Sequence, residues 1–314
     1  MGRYLAKRML QVPIVLWILV TLSFFMMRAA PGGPFAGEKR MDPVIEQKIR
    51  EKYHLTESWP KQYVRFLGDL CVGDLGPSFK NKTMTVNEII AEKAPTSAFL
   101  GLTAVLLALF MGLTAGVVAG VRQNSRFDYG SMTVAMVGLS VPTFVVGPLL
   151  ALVFGIYLDW LPVAGYGTIF GTDWLPQPKY LLLPAFTLAL PFAARIARLT
   201  RAGMLEVINQ DYIRTAWAKG LTERVVVLRH ALRGAMLPVV SFLGPAVAQI
   251  LTGSLVVEQI FGVPGIGREF VQSALNRDYT MVMGTVILFG VLLVGFNLLV
   301  DIVYGFLDPR IRYS

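Results

Sequence analysis

The residue types that usually carry out chemistry are sparse in this sequence and lie far apart. The 314 residues include two histidines, His54 and His230, and a single cysteine, Cys71. One cysteine cannot form an intramolecular disulfide or a cysteine-rich metal site, and two distant histidines do not indicate a His-based cluster. We therefore expect no catalytic residue and no metal ligand set in this chain.

The densest glycine cluster also lacks the chemistry of a nucleotide site. Residues Gly262–Arg268 read GVPGIGR. A phosphate-binding loop needs the spacing G-x-x-x-x-G-K-[ST] after a strand, and this stretch lacks the final Lys and Ser/Thr. We interpret it as a turn, so the chain by itself is not expected to hydrolyse ATP.

The most informative polar segment is Asp211–Leu232. Its apolar residues recur at a helical spacing that predicts one packed face: Ile213, Trp217, Leu221, Val225 and Leu228. The opposite face carries charged residues: Arg214, Lys219, Glu223 and Arg229. Lys219 fits a last helical turn and Gly220 the left-handed position after it, while Thr222 fits an N-cap. The segment therefore predicts a helix, a glycine corner and a second helix.

Three interpretations of this helical corner remain open from its residues. It is longer than a connector needs to be, which favours a docking element for a soluble partner. An amphipathic helix resting on a membrane surface would show the same pattern. A DNA-reading helix-turn-helix is disfavoured because the segment lies between two apolar runs.

Those apolar runs indicate a membrane protein. Hydrophobic residues make up 54% of the chain and charged residues 16%, against about one quarter charged in soluble domains. Six windows reach the roughly 20 apolar residues that a membrane-spanning helix needs. They are Met9–Met27, Ala98–Val121, Ser131–Leu158, Tyr180–Ile196, Met236–Val257 and Met281–Phe306. The first window could also be a cleaved signal peptide, although its apolar run is longer than such peptides usually have.

The formal net charge of +9 is concentrated in short segments that flank the apolar windows. This placement indicates membrane orientation and not a nucleic-acid partner. Lys and Arg are most frequent at both ends of the chain and after the second and fourth windows, which places both termini in the cytoplasm. The expected fold is an all-α membrane protein with six transmembrane helices in the bilayer.

The orientation predicts four regions. Residues 1–28 form the N-terminus and first helix, 29–97 an external cap, 98–306 the core with a cytoplasmic loop at 197–235, and 307–314 a cytoplasmic tail. Within the cap we expect a helix over Pro43–Tyr53, a second apolar stripe (Tyr63, Phe66, Leu67 and Leu70) and glycine turns at Gly73 and Gly76. A loop lying on the lipid headgroups is the alternative.

A few polar and helix-breaking residues interrupt the apolar windows. Asp301 is the only acid well inside a window, and Asn297 lies one turn earlier on the same face. They could line a pathway or anchor the helix end at the interface. Prolines at 142, 148, 184 and 191 could bend a pathway wall or serve packing alone. We assign Pro142, Phe144, Asn297 and Asp301 to a pathway.

The corner segment resembles the EAA loop, the coupling helix of ATP-binding-cassette importer permeases. Ala216 and Gly220 stand at the family spacing, and the run from Arg214 to Leu221, RTAWAKGL, is similar to B-type permeases of the peptide and nickel branch. Eight further motifs are similar to that branch and follow its order. They are Lys7–Pro13, Arg28–Pro34, Gly73–Phe79, Ser140–Phe144, Asp159–Pro162, Gly253–Glu258, Asn276–Tyr279 and Leu307–Arg310.

The resemblance implies an oligopeptide or dipeptide importer in the bacterial inner membrane. A second homologous permease subunit would complete the passage, and an extracytoplasmic binding protein would deliver substrate. Two ATPase subunits would bind ATP and Mg, and this chain would bind no cofactor. The residues that would couple to the ATPases are Arg214, Thr215, Ala216, Lys219, Gly220, Leu221 and Glu223. Nickel or another small solute is the alternative cargo. An ion-coupled carrier is the alternative machine, although it would need more acids within the windows than Asp301 and usually repeated halves.

Overall fold

The computed structural model describes residues 2–29, 47, 51, 54–81, 83–167, 177–251 and 255–307, and this part of the chain is all helical apart from one bridge between Pro77 and Thr85. The helices are α1 (Gly2–Ala29), α2 (Trp59–Cys71), α3 (Val86–Val121), α4 (Arg126–Ser140), α5 (Thr143–Tyr157), α6 (Pro178–Ile208), α7 (Asp211–Ala218), α8 (Glu223–Ala235), α9 (Leu237–Leu251), α10 (Leu255–Phe261), α11 (Ile266–Leu275) and α12 (Tyr279–Leu307). The predicted helix over Pro43–Tyr53 lies almost wholly outside the described residues.

Between four and six helical spans are long and apolar enough to cross a membrane. Four are unbroken: Met9–Ala29, Val86–Val121, Pro178–Ile208 and Tyr279–Val303. The other two are bent pairs, α4 with α5 and α8 with α9, whose axes turn by 107° and 60°. The all-α membrane fold is therefore confirmed, and six spans result if each bent pair crosses the membrane once.

The third predicted window is broken in its middle and is not one continuous helix. α4 ends at Ser140, Val141 is extended with ψ 120°, and Pro142 precedes the first residue of α5. A residue before proline is pushed out of the helical region by the proline ring, so the chain turns at Val141. The bend places the two halves of this span against different neighbours.

Two spans are longer than their apolar windows. α3 begins at Val86, where Thr85 and Glu88 form a reciprocal capping box that fixes the helix start well before Ala98. α6 continues to Ile208, beyond the predicted start of the cytoplasmic loop at residue 197. Apolar windows underestimate these helices because their polar ends are stabilised by caps and packing, not by lipid.

Close packing of α3 against α6 forms the centre of the bundle. Gly112, Gly116 and Gly120 lie four residues apart on α3 and face α6. A Cβ built on Gly116 would lie 2.5 Å from the Cβ of Thr200 and 2.6 Å from the carbonyl oxygen of Ala197. Small residues at this spacing allow membrane helices to approach closely, which explains the glycine stripe.

A partly buried ion pair joins the start of α4 to α6. Asp128 is 1% exposed, and Arg201 donates to both of its carboxylate oxygens, over 2.6 and 2.8 Å. The backbone N–H of Asn124 donates to the same carboxylate. This forked geometry fixes the start of α4 relative to α6.

The predicted apolar stripe of the cap forms α2, which packs on the end of α1. The Phe24 ring contacts the rings of Tyr63 and Phe66, and Arg28 donates to Gln62 over 2.8 Å. The predicted glycine turns follow, with φ of 80° at Gly73 and 84° at Gly76. α2 therefore folds onto the first span, whereas Pro77 and Ser78 bond to Thr280 and Asp278 near the start of α12.

Candidate functional site

The predicted helix–glycine–helix corner is present. α7 ends at Ala218, and Gly220 follows in the left-handed region with φ 75° before α8 begins at Glu223. A Cβ on Gly220 would meet no described atom within 4 Å, so backbone conformation and not space favours glycine here. Thr222 occupies the N-cap position but accepts no capping hydrogen bond through its side chain.

One side of the corner is anchored in a small apolar cluster. Ile213 and Ala216 from α7 pack with Val226, Ala231 and Ala235 from α8 and with Met204 from α6. Each of these side chains is at most 5% exposed. Met204 belongs to α6, so the corner packs directly on a membrane-spanning helix.

The single apolar face predicted across the corner is wrong in part. Ile213 is 1% exposed, but Trp217 is 47% and Leu228 is 49% exposed. Trp217 lies on α7 itself, one turn after Ile213, and its side chain is left exposed. Helical spacing does not carry on to Leu228, because α7 ends at Ala218 and the chain changes direction at Gly220. Residues Val226–Ala231 are also π-helical, which shifts the register of α8.

The seven predicted coupling residues divide into an exposed and a packed group. Arg214, Thr215, Lys219, Gly220 and Glu223 are exposed, Leu221 is half-buried against the cluster, and Ala216 is buried. Trp217 and Tyr212, which are not among the predicted coupling residues, add exposed aromatic surface to the same short helix. The corner thus presents a basic and aromatic surface on a rigid base.

The four predicted pathway residues do not meet in one place. Asn297 and Asp301 line a cavity of about 220 Å³ between α1 and α12, together with Gln11. Pro142 lies at the bend between α4 and α5, and Phe144 is 60% exposed beside it. Asn297 and Asp301 line the same cavity, as expected for one helix face, but neither Pro142 nor Phe144 is among the residues that line it.

The glycine turn Gly262–Arg268 surrounds a buried carboxylate. Glu258 is fully buried, the Ser97 hydroxyl donates to it over 2.7 Å, and the backbone N–H of Arg268 donates over 2.9 Å. A Cβ on Gly265 would lie 2.4 Å from the Glu258 carboxyl carbon. Burial raises the pKa of Glu258, and the hydrogen bonds from Ser97 and Arg268 oppose that rise. The backbone of this turn therefore surrounds the Glu258 carboxylate, in the place where a nucleotide-binding loop would surround a phosphate.

A second buried carboxylate joins two of the sequence motifs. Asp278, from Asn276–Tyr279, accepts hydrogen bonds from the Ser78 hydroxyl and from the backbone N–H of Phe79, both in Gly73–Phe79. Asp278 also accepts from the Met281 N–H at the start of α12. The position of Asp278 in the Asn276–Tyr279 motif is the one sequence signal for this contact.

The part of the chain that the structure describes contains no cluster of metal-ligating side chains. No group of three His, Cys, Asp or Glu side chains there could hold a metal ion.

The chain belongs to the family of binding-protein-dependent transport system inner membrane components, whose sequence model matches residues 112–313. It is a multi-pass protein of the inner membrane. Over its full length it is 48% identical to the oligopeptide transport system permease protein OppB of Salmonella typhimurium and 47% identical to that of Haemophilus influenzae, covering 100% of each chain. It is also 40% identical to the dipeptide transport system permease protein DppB of Bacillus subtilis, over 99% of this chain and 98% of that protein. These matches confirm the family resemblance drawn from the motifs.

Proposed function

We propose that this chain is a permease subunit of an ATP-binding-cassette importer and forms half of a passage for oligopeptides. The observation that carries the proposal is the full-length 48% identity to an oligopeptide permease. The named relatives transport oligopeptides or dipeptides, which favours peptides over nickel as cargo. A second, homologous permease completes the passage.

The corner of α7, Gly220 and α8 is the coupling element in this proposal. It docks on one of two ATPase subunits, which bind ATP and Mg, through Arg214, Thr215, Lys219 and Glu223. Support comes from the exposure of these side chains, while Ala216 and Leu221 hold the element on its base. ATP-driven closure of the ATPases would push this corner and, through Met204, the spanning helix α6.

The proposed orientation places both termini and the coupling loop in the cytoplasm. The cap, residues 29–97, then lies outside and contacts the substrate-binding protein. Packing of α2 on α1 supports a folded cap. Deletion of the cap would abolish delivery from the binding protein, and unchanged delivery would contradict this assignment.

The coupling role predicts opposite outcomes for two substitutions of Gly220. Proline fixes φ near −65°, which is incompatible with the φ of 75° at this corner, whereas asparagine tolerates the left-handed region. We expect Gly220→Pro to abolish peptide uptake and co-purification of the ATPase subunits while membrane insertion persists. Gly220→Asn should retain peptide uptake within a few-fold and should still co-purify with the ATPase subunits.

The experiment uses the complete transporter, expressed with its sister permease, ATPases and binding protein. Uptake of a labelled peptide into proteoliposomes and recovery of ATPase on tagged permease are measured for each variant. Normal ATPase recovery with Gly220→Pro would refute the docking role. Absence of peptide uptake by the unsubstituted complex, with uptake of nickel instead, would refute the peptide assignment.

A further inference from the structure

A cavity of about 370 Å³ lies where the α4–α5 bend, α6 and α9 meet. Its walls include Thr143 at the start of α5, Pro191, Phe192 and Arg195 on α6, and Phe242 and Gln249 on α9. It is distinct from the α1–α12 cavity that contains Asn297 and Asp301. Nothing in the family match assigns a role to it.

The backbone around this cavity is irregular within the spanning segments. The helical segment is interrupted at Val141–Pro142, where its axis turns by 107°, and Pro191 lies inside α6. Broken backbone at membrane depth is tolerated where it is buried in protein or lines a cavity, because freed polar groups need partners. The break and the cavity therefore occur together for a physical reason.

Arg195 is a charged side chain of a membrane-spanning helix that faces this cavity. The residues beside it on α6, Ala194 and Ile196, are buried, whereas Arg195 is exposed. Its guanidinium lies 5.4 Å from the ring centre of Phe242, and it forms no ion pair with a carboxylate of the described residues. Charged residues within spans are costly, usually face a water-filled cavity and mark transport pathways.

The chemistry at this position fits a carboxylate ligand. Arginine is always charged, and its planar guanidinium donates two parallel hydrogen bonds to a carboxylate. The Phe192 and Phe242 rings, with centres 6.3 Å apart, provide apolar surface beside it. Every unmodified peptide ends in a carboxylate whatever its sequence, so such a contact suits an importer that accepts many sequences.

We propose that the residues lining this cavity form this chain's side of the passage. We further propose that Arg195 binds the C-terminal carboxylate of the peptide during transit. The inference rests on the proposed peptide-import function. It moves the pathway from Asn297 and Asp301 to the α4–α5 bend, where Pro142 was already assigned. Phe144, one residue beyond Thr143, is not among the cavity walls.

The test compares two peptides that differ only in a free carboxylate or a C-terminal amide, in proteoliposomes with the complete transporter. We expect Arg195→Gln to slow uptake of the free acid about tenfold, the effect of one lost charge-assisted contact, and to change amide uptake less than twofold. Arg195→Lys should be intermediate. The matched control is Arg198→Gln, an exposed arginine three residues further along α6 that is not a wall of the cavity, and it should leave both rates unchanged.

An equal effect of Arg195→Gln on both peptides, or no effect on either, would overturn the carboxylate role. Failure of Arg195→Gln to co-purify with the sister permease would also overturn it, because Arg195 would then be an interface charge. If the unsubstituted transporter imports no peptide at all, the proposed function fails and not this inference alone.

Cysteine labelling tests the cavity independently of peptide delivery. The only cysteine, Cys71, is replaced by alanine, and Thr143→Cys is introduced at the cavity wall. We expect a charged methanethiosulfonate reagent to label Thr143→Cys and a transported peptide to slow that labelling during turnover. The control Leu106→Cys, exposed on α3 outside the cavity, should not react. An unreactive Thr143→Cys in the assembled transporter, or labelling unaffected by peptide, would exclude the cavity from the passage.

Discussion

The side chain of Glu258 joins segments that are far apart in the chain, because it accepts from Ser97 on α3 and from the backbone of Arg268 on α11. Ser97 in turn accepts from the N–H of Ile266. These bonds hold the glycine turn against α3. At the scale of single residues, buried carboxylates thus fix loops in this protein, as Asp278 does for Ser78 and Phe79.

The raised pKa of Glu258 predicts a pH dependence of stability. A group whose pKa is higher in the folded state stabilises fully below its unfolded value, near 4.5, and the stabilisation is lost as pH rises through the folded value. We expect Glu258→Gln, which keeps the size and one acceptor oxygen but cannot titrate, to remove this dependence. Thermal unfolding of the detergent-solubilised complex over pH 4 to 8 measures it.

Glu258→Ala is the comparison for that measurement. It leaves the Ser97 hydroxyl and the Arg268 N–H without their partner, which costs about 1–3 kcal/mol. The glutamine variant should be more stable than the alanine variant throughout. Equal losses for both, or a flat pH profile for the unsubstituted protein, would contradict the assignment.

Among the helices, α3 and α6 are the pair whose packing most depends on small residues. Gly116 allows α3 to approach Ala197 and Thr200 on α6, and Asp128 with Arg201 fixes α4 to the same helix. α6 also carries Met204 in the cluster under the coupling corner and Arg195 in the cavity. One helix therefore connects the corner, the bundle centre and the proposed passage.

Substitution of Gly116 by alanine should separate α3 from α6. The new Cβ would lie 2.5 Å from the Thr200 Cβ, so the helices must shift, at a cost of about 1–3 kcal/mol. Gly130→Ala on α4 is the matched control, since a Cβ there meets no described atom within 4 Å. It should be neutral or stabilising by up to about 1 kcal/mol. Thermal unfolding in detergent compares them, and an unchanged melting temperature for Gly116→Ala would show that the helices are not in close contact.

At the scale of the whole molecule, we propose that the assembled transporter carries out transport and that this chain alone does not. The chain has no nucleotide-binding motif in its sequence, and its glycine turn is occupied by Glu258. We expect the purified chain to hydrolyse no ATP and the complex with its ATPases to hydrolyse it at a rate stimulated by loaded binding protein. Phosphate release measures both, and hydrolysis by the isolated chain, after removal of trace ATPase, would refute this division of roles.

The apolar windows, the helical corner and the family motifs could all be predicted because each depends on residues that are close in sequence. The helix lengths could be predicted less well from the sequence, since the Thr85–Glu88 capping box and the packing of α6 extend these spans beyond their apolar windows. The pathway residues were the weakest prediction. A proline at position 142 indicates a break but not which helices meet beside it.

The sequence by itself determined an all-α membrane protein, its peptide-permease family and a glycine corner at Gly220, because hydrophobic runs, caps and motifs are local properties. Only the tertiary structure decided that Trp217 is exposed, that Asp278 meets Ser78 and that Arg195 faces a cavity. Asp278 and Ser78 are 200 positions apart. Such contacts depend on how whole helices pack, and the direction in which a side chain points along a bent helix is set by its neighbours and not by its own sequence.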